Sequence, residues 1–215
     1  MTLSPTSLVP LMTSKSGNWL TPPTIIERVS QAFHGTIDLD PCSNDSESPN
    51  VPAITCWDGS NRNGLTEPWF GRVYCNPPYG RDIFLWTEKA YYEYLGGNSK
   101  EIILLVPART DTAWFRPLWD NNAMCFIRGR LKFSNKEWTT PSGSKNSAPF
   151  PSVLIHMGIN HAAFDAAFSK IGHVIFPESK PMTYYTSSKA EWYSPAASGP
   201  SINQWKEWNS KDGSV

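Results

Sequence analysis

Four consecutive residues, Asn76-Pro77-Pro78-Tyr79, join two oxygen acceptors to a rigid backbone and an aromatic ring. That combination suits the activation of an aromatic amine. The lone pair of such a nitrogen is delocalised into its ring, so it attacks poorly until its hydrogens are held and it can pyramidalise. The side-chain oxygen of Asn76 and the main-chain carbonyl of Pro77 are two acceptors for those hydrogens. Pro77 and Pro78 fix the loop, so both acceptors are set before any reaction begins. Tyr79 offers a ring face to a base, a contact worth roughly 1–3 kcal/mol in proteins that bind single strands. The same four residues also read as a Pro-Pro turn closing a strand.

A second group, Asp40-Pro41-Cys42, ends another short strand. A carboxylate there suits a ligand that carries positive charge; as a turn residue before Pro41 it would need no ligand. Charge is distributed unevenly around these two places. Between Asn18 and Gly71 the acidic residues Glu27, Asp38, Asp40, Asp45, Glu47, Asp58 and Glu67 outnumber Arg28 and Arg62. Between Phe126 and Phe150 the balance reverses, with Arg128, Arg130, Lys132, Lys136 and Lys145 against Glu137 alone. An acidic first part and a basic later segment fit a small cationic ligand at one place and phosphates at another. A solvated basic hairpin is the plainer account of the second segment.

The elements that must position these residues follow from periodicity. Thr21-Pro22-Pro23 reads as a helix start with Thr21 as cap. Ile25, Ile26, Val29 and Phe33 then recur at helical spacing, and Gly35 ends the helix. Strands are expected at 36–40, 53–57, 72–75, 101–106 and 123–127, with helices at 82–95 and 111–120. The 101–106 run is continuously apolar, as in a strand buried on both faces. After Arg128 the segments 131–133 and 152–157 suggest a hairpin with a long excursion, followed by a helix at 162–168 and a last strand at 174–176. Alternating strands and helices predict an α/β fold: an open, mostly parallel sheet with helices on both faces and a C-terminal antiparallel hairpin. Ligands of such sheets bind beyond the carboxyl ends of the strands, where Asp40 and Asn76 both fall.

At 215 residues and 40% hydrophobic content the chain suits one domain with a sizeable core. Residues 1–17 read as a flexible lead-in, 18–176 as the domain and 177–215 as a peripheral tail. No apolar run approaches the roughly 18 residues of a membrane span, and no secretory signal is evident. Cys42, Cys56, Cys75 and Cys125 show no paired metal-binding spacing, so no metal is expected and a reduced cytoplasmic protein is the simplest reading. A formal net charge of zero argues against a nucleic-acid binder by sum alone. Most of the ten tryptophans stand beside apolar or Pro/Gly-containing stretches and read as core or pocket walls.

Trp19-Leu-Thr-Pro22, Ile37-Asp-Leu-Asp-Pro-Cys-Ser43, Asn63-Gly-Leu65, Val73-Tyr-Cys-Asn-Pro-Pro-Tyr-Gly80, Leu105-Val-Pro-Ala-Arg-Thr-Asp111, Gly129-Arg-Leu-Lys-Phe133 and Ala148-Pro-Phe-Pro-Ser152 stand in this order. In that order they resemble the phage-type DNA N6-adenine methyltransferases, which have a Rossmann-like S-adenosylmethionine-dependent fold. The resemblance implies that Asn76, Pro77, Pro78 and Tyr79 are catalytic. It implies S-adenosylmethionine as cofactor, held by Trp19, Thr21, Pro22, Asp38, Asp40, Pro41, Cys42, Asp58, Asn63, Gly64, Leu65 and Asn76. It implies DNA as partner, contacted by Arg81, Arg109, Arg128, Arg130, Lys132, Lys136 and Lys145, with 128–152 as the DNA-facing hairpin and an adenine taken out of the stack. Ser43-Asn44-Asp45 departs from the glycine-rich loop that many methyltransferases carry at this point. RNA adenine, cytosine N4 or a protein glutamine amide are competing acceptors, and a non-catalytic cofactor- and DNA-binding subunit is the competing class.

Overall fold

The computed structural model describes residues 19–119, 122–133 and 147–177. In chain order the elements are α1 (Pro23–Ala32), β1 (Ile37–Asp40), β2 (Ala53–Cys56), β3 (Gly71–Cys75), α2 (Ile83–Leu95), β4 (Ser99–Pro107), a 3-10 turn (Ala113–Phe115) leading into α3 (Arg116–Trp119), β5 (Ala123–Ile127), β6 (Ser152–Met157), α4 (His161–Phe168) and β7 (Gly172–Ile175). The seven strands form one sheet in the order β2-β1-β3-β4-β6-β5-β7.

β4 lies at the centre because its residues can be buried on both sides. Ile102, Ile103, Leu104, Leu105 and Val106 are all fully buried. Ile103 and Leu105 face α1 and α4 together with Tyr74, Leu154 and Phe164. Ile102, Leu104 and Val106 face α2 and the 113–119 segment together with Val73, Cys75, Ile83, Trp86 and Phe115. Each such side chain contributes about 1.5–3 kcal/mol when taken fully out of water. The sheet is thus a filled layer between two helical layers, as the alternation of strands and helices predicts.

Parallel pairing holds for β2-β1-β3-β4, while β6, β5 and β7 pair antiparallel to their neighbours. The second half differs because 152–157 pairs with β5 rather than with the expected 131–133, giving an antiparallel hairpin that needs no crossover. Its base is closed beyond the strands by a bridge between Lys132 and Ser147 and by Ala148 N–H donating to the Leu131 carbonyl at 2.8 Å. The carboxyl ends of β1, β3, β4 and β5 all lie along one edge of the sheet.

Two local expectations change. Thr21 does not cap α1: Pro22 holds the cap position, with no side-chain cap, and Pro23 begins the helix. Pro22 and Pro23 fix the backbone for helix entry by themselves, which leaves the Thr21 hydroxyl free for a tertiary partner. The 111–120 stretch is a 3-10 turn and a short helix because Pro117 withholds an N–H in its middle. α1 stops with His34 in the left-handed region (φ 52°) and Gly35 N–H on the Ser30 carbonyl at 2.9 Å. The lead-in 1–17 and 178–215 of the tail lie outside the described residues.

Truncating Leu104 to alanine opens a void between the sheet and α2. A loss of about 2–5 kcal/mol is expected in a denaturant melt followed by circular dichroism; a change under 1 kcal/mol would mean the packing there is not close.

Candidate active site

Asp40 is the last residue of β1, and Asn76 directly follows β3, the parallel neighbour of β1. Both therefore reach the same end of the sheet, where a cleft of about 370 Å³ opens. Its lining includes Trp19, Thr21, Asp40, Cys42, Asn76 and Pro78, together with Leu20, Asn44, Asn50 and Val51.

Asn76 is held by its nitrogen. Its Nδ2 donates to the Trp19 carbonyl at 2.5 Å and to Thr21 Oγ1 at 3.1 Å. Thr21 Oγ1 is in turn 2.9 Å from the hydroxyl of the fully buried Tyr74. With both amide hydrogens engaged, Oδ1 is fixed as the outward acceptor, and it accepts from the Tyr79 hydroxyl at 2.7 Å. The Tyr79 hydroxyl also lies 3.2 Å from the Leu105 carbonyl. The Tyr79 ring does not present the bare face that the sequence suggests. It sits among Trp19, Phe133 and Phe150, at centroid distances of 6.4, 6.1 and 5.3 Å.

Asp40 is 3% exposed and accepts from Cys42 N–H at 3.1 Å. Among the described residues no cation pairs with it. Burial pushes its carboxyl up to about 7, against the opposing pull of the Cys42 hydrogen bonds. A buried acid without a counter-charge, facing a cleft, is a place for a cationic ligand. Beside it Cys42 Sγ rests 3.4 Å from Cys75 Sγ, so the ends of β1 and β3 touch through two thiols. Burial raises both, Cys42 well above the ordinary thiol range, and they pack as neutral groups.

Other candidates have different work. Asp38 is bound by Arg72, whose backbone N–H and Nε donate to Asp38 Oδ2 at 2.8 and 3.2 Å. Burial alone would raise the Asp38 carboxyl; the Arg72 hydrogen bonds and charge outweigh that and hold it below the ordinary range. Arg72 also reaches the Phe33 carbonyl and Thr36, so this carboxylate ties α1, β1 and β3 together, away from the cleft. Gly71 beside it is at φ +64°, and a Cβ there would meet Asp38 Oδ2 at 2.5 Å. Asp38, expected to hold cofactor, stands outside the cleft lining. Asp58 is occupied by its own loop: Oδ1 accepts from Ser60 and Asn61 N–H, and Oδ2 from Ser46 N–H. Hydrogen bonds from Ser60 and Ser46 hold that carboxyl well below its usual range.

Asn63-Gly64-Leu65 stands outside the cleft lining, with Gly64 against Pro41. A Cβ at Gly64 would fall 2.0 Å from the Pro41 carbonyl oxygen, so only glycine fits against that turn. Pro22, Pro41, Pro77 and Leu65 likewise stand outside the cleft lining. Sequence reasoning passed over Leu20, Asn44, Asn50 and Val51. Asn50 bridges the walls: its Nδ2 donates to the Thr21 carbonyl at 3.0 Å, and its N–H to Asn44 Oδ1 at 2.9 Å.

Of the basic candidates, Arg81, Arg128, Arg130 and Lys132 are exposed and Arg109 is half-buried. Arg81 follows the tetrapeptide, Arg109 follows β4 and Arg128 follows β5, so they flank the same edge as Asn76. Lys136 and Lys145 lie outside the described residues. Among the described residues, no group of three or more His, Cys, Asp or Glu could hold a metal ion, and no helix is long and apolar enough to cross a membrane.

Residues 10–158 match the family model described as DNA N-6-adenine-methyltransferase (Dam). The chain belongs to this family. Comparison with curated proteins gives no match. Membership makes the fold a Rossmann-like methyltransferase fold and the activity, in general terms, DNA adenine N6-methylation.

The raised Asp40 carboxyl has a consequence for stability. The unfolded chain releases this proton near pH 4, whereas the folded chain keeps it to about pH 7. Between those values the folded state binds more protons, so this group's contribution to stability falls as pH rises through the window. An Asp40→Asn variant lacks that loss. Its Tm relative to the parent is expected to climb from pH 4.5 to pH 8; an offset that is the same at both pH values contradicts an uncompensated buried acid.

Proposed function

We propose that this chain transfers a methyl group from S-adenosylmethionine to the exocyclic amino group of an adenine that has left the DNA stack. The observation that carries the reading is the meeting of two unlike residues at one cleft: Asp40, a buried carboxylate with no cation beside it among the described residues, and Asn76, whose amide nitrogen is held by the cleft wall so that its oxygen is fixed toward Tyr79.

The donor set of the cleft suits the cofactor. Asp40 is the residue for its positive charge, and Trp19, Thr21, Cys42, Asn44, Asn50 and Val51 form the surrounding wall. When bound, S-adenosylmethionine supplies an electrophilic methyl group on a sulfonium sulfur. The protein's own part is placement. Asn76 Oδ1 and the Pro77 carbonyl accept the two amino hydrogens, which turns the nitrogen lone pair out of the base ring. The tether of Asn76 to Trp19 and Thr21 holds the acceptor still, so little reorganisation is left for the transition state. Fixing both reactants in one geometry supplies much of the acceleration. Trp19, Tyr79, Phe133 and Phe150 bring aromatic surface to the corner where the base must sit. Extruding the base costs a few kcal/mol, which stacking and the Asn76 bonds offset.

Arg81, Arg109, Arg128, Arg130 and Lys132 supply phosphate contacts along the same edge. Such contacts set orientation rather than sequence, and they make binding salt-dependent. A zero net charge is compatible with this because the cations gather where the strands end.

The test is label transfer from tritiated S-adenosylmethionine to unmethylated DNA, RNA and protein, followed by nucleoside mass spectrometry. Label in N6-methyladenine of DNA supports the reading; label in N4-methylcytosine, RNA or protein replaces it. Asn76→Ala is expected to lower transfer by at least 100-fold while calorimetry shows cofactor affinity within about threefold of the parent. Retained transfer would remove Asn76 from the chemistry. Cofactor affinity should also rise with pH, because a cation prefers the ionised Asp40. About a tenfold gain is expected between pH 5.5 and pH 7, below the titration of the cofactor's amine. Asp40→Asn should flatten that profile; an unchanged profile would place the cation elsewhere.

A further inference from the structure

The acceptor that the chemistry needs is already in use. Asn76 Nδ2 is committed to the Trp19 carbonyl and Thr21 Oγ1, so the amide cannot turn, and Oδ1 is its single outward acceptor. Tyr79 Oη donates to that oxygen at 2.7 Å. Burial keeps the phenol protonated by raising it well above its usual range, so the donor persists across any working pH.

The ring is as fully engaged as the hydroxyl. Trp19 lies across it at an interplanar angle of 27°, and Phe133 and Phe150 meet it edge-on at 79°. Phe133 and Phe150 are themselves 7% and 3% exposed. The cleft reaches Asn76 and Pro78 from the Asp40 side, yet Tyr79, Phe133 and Phe150 are not part of its wall. An aromatic chamber therefore adjoins the cofactor cleft at Asn76, and the chain's own tyrosine fills it. A ring with one hydrogen-bond donor at its edge, pointed at Asn76 Oδ1, has the outline of an aminated base.

We infer that Tyr79 occupies the target-base site of the free protein as a stand-in for the base, its hydroxyl on the oxygen that the substrate amine requires. The inference rests on the proposed function and adds an obligatory step to it. Tyr79 leaves Asn76 before the adenine is held there, and its ring is then released to stack on the incoming base. The hydrogen bond it gives up weighs against DNA binding and not against cofactor binding, since Tyr79 is outside the cofactor cleft.

Two measurements on the full chain test this. In the first, Tyr79→Phe keeps the ring and deletes the competing donor. The KM for unmethylated DNA is expected to fall by about two- to tenfold, the worth of one hydrogen bond. A tyrosine that merely steadies Asn76 gives the reverse pattern, a lower kcat at constant KM, and that result overturns the inference. In the second, the chain is labelled with 3-fluorotyrosine, and the Tyr79 resonance is identified by its absence from the Tyr79→Phe spectrum. It should stay in place with sinefungin alone and move when unmethylated DNA is added. A resonance that DNA leaves unmoved overturns the inference. Both readings are made on a preparation that methylates the same DNA, so their failure leaves the proposed function intact. A preparation that methylates no DNA removes both.

Discussion

The site hangs on the way one amide is held from behind. Asn76 follows the last residue of β3, and left to itself its side chain could rotate or exchange oxygen for nitrogen. Two acceptors from a segment 55–57 residues earlier, the Trp19 carbonyl and Thr21 Oγ1, take both amide hydrogens and remove that freedom. Everything the tetrapeptide is proposed to do needs its oxygen, not its nitrogen, to face outward. Pro77 and Pro78 stiffen the chain on the other side, so the residue is restrained through backbone and side chain alike.

That clamp depends on the sheet. β1 and β3 are parallel neighbours, which puts Asp40 and Asn76 at one edge, and the Asp38–Arg72 pair with the Cys42–Cys75 contact keeps the two strands in step. The fully apolar β4 supplies the stiffness behind them. The energetic strain of the arrangement sits in Asp40, a carboxyl placed in a nearly water-free position with no cation beside it among the described residues. A protein built only for stability has no use for such a group. A site that must attract a positively charged ligand does, and the stability lost on ionising Asp40 can be returned when the ligand binds.

Much of the fold was legible in the sequence because it rests on local pattern. The apolar 101–106 run, the helix from Ile83 and the abrupt stop at Pro77-Pro78 each announce themselves over a few residues. Asp40 and Asn76 were legible for the same reason: they end strands, and strand ends are where such sheets bind ligands. The rest turned on partners far away in the chain. Thr21 has the type and position of a helix cap, but its hydroxyl meets Tyr74 and Asn76 instead, more than 50 residues on. Asp38 and Asp40 are chemically equal in the sequence; only the arrival of Arg72 separates a strut from a cleft-lining acid. The chamber around Tyr79 gathers Trp19, Phe133 and Phe150 from well-separated segments, so no local window could reveal that the offered ring face is covered.

The account is decided most directly by a crystal structure of the chain with sinefungin, which carries an amine where the cofactor carries its transferable methyl. Bound sinefungin should lie in the 19–51 cleft with a cationic nitrogen against Asp40 and its added amine directed at Asn76. Electron density for the analogue at any other place, or Asp40 left facing water while the analogue is bound, would contradict the claim that this carboxylate and this amide form a single site.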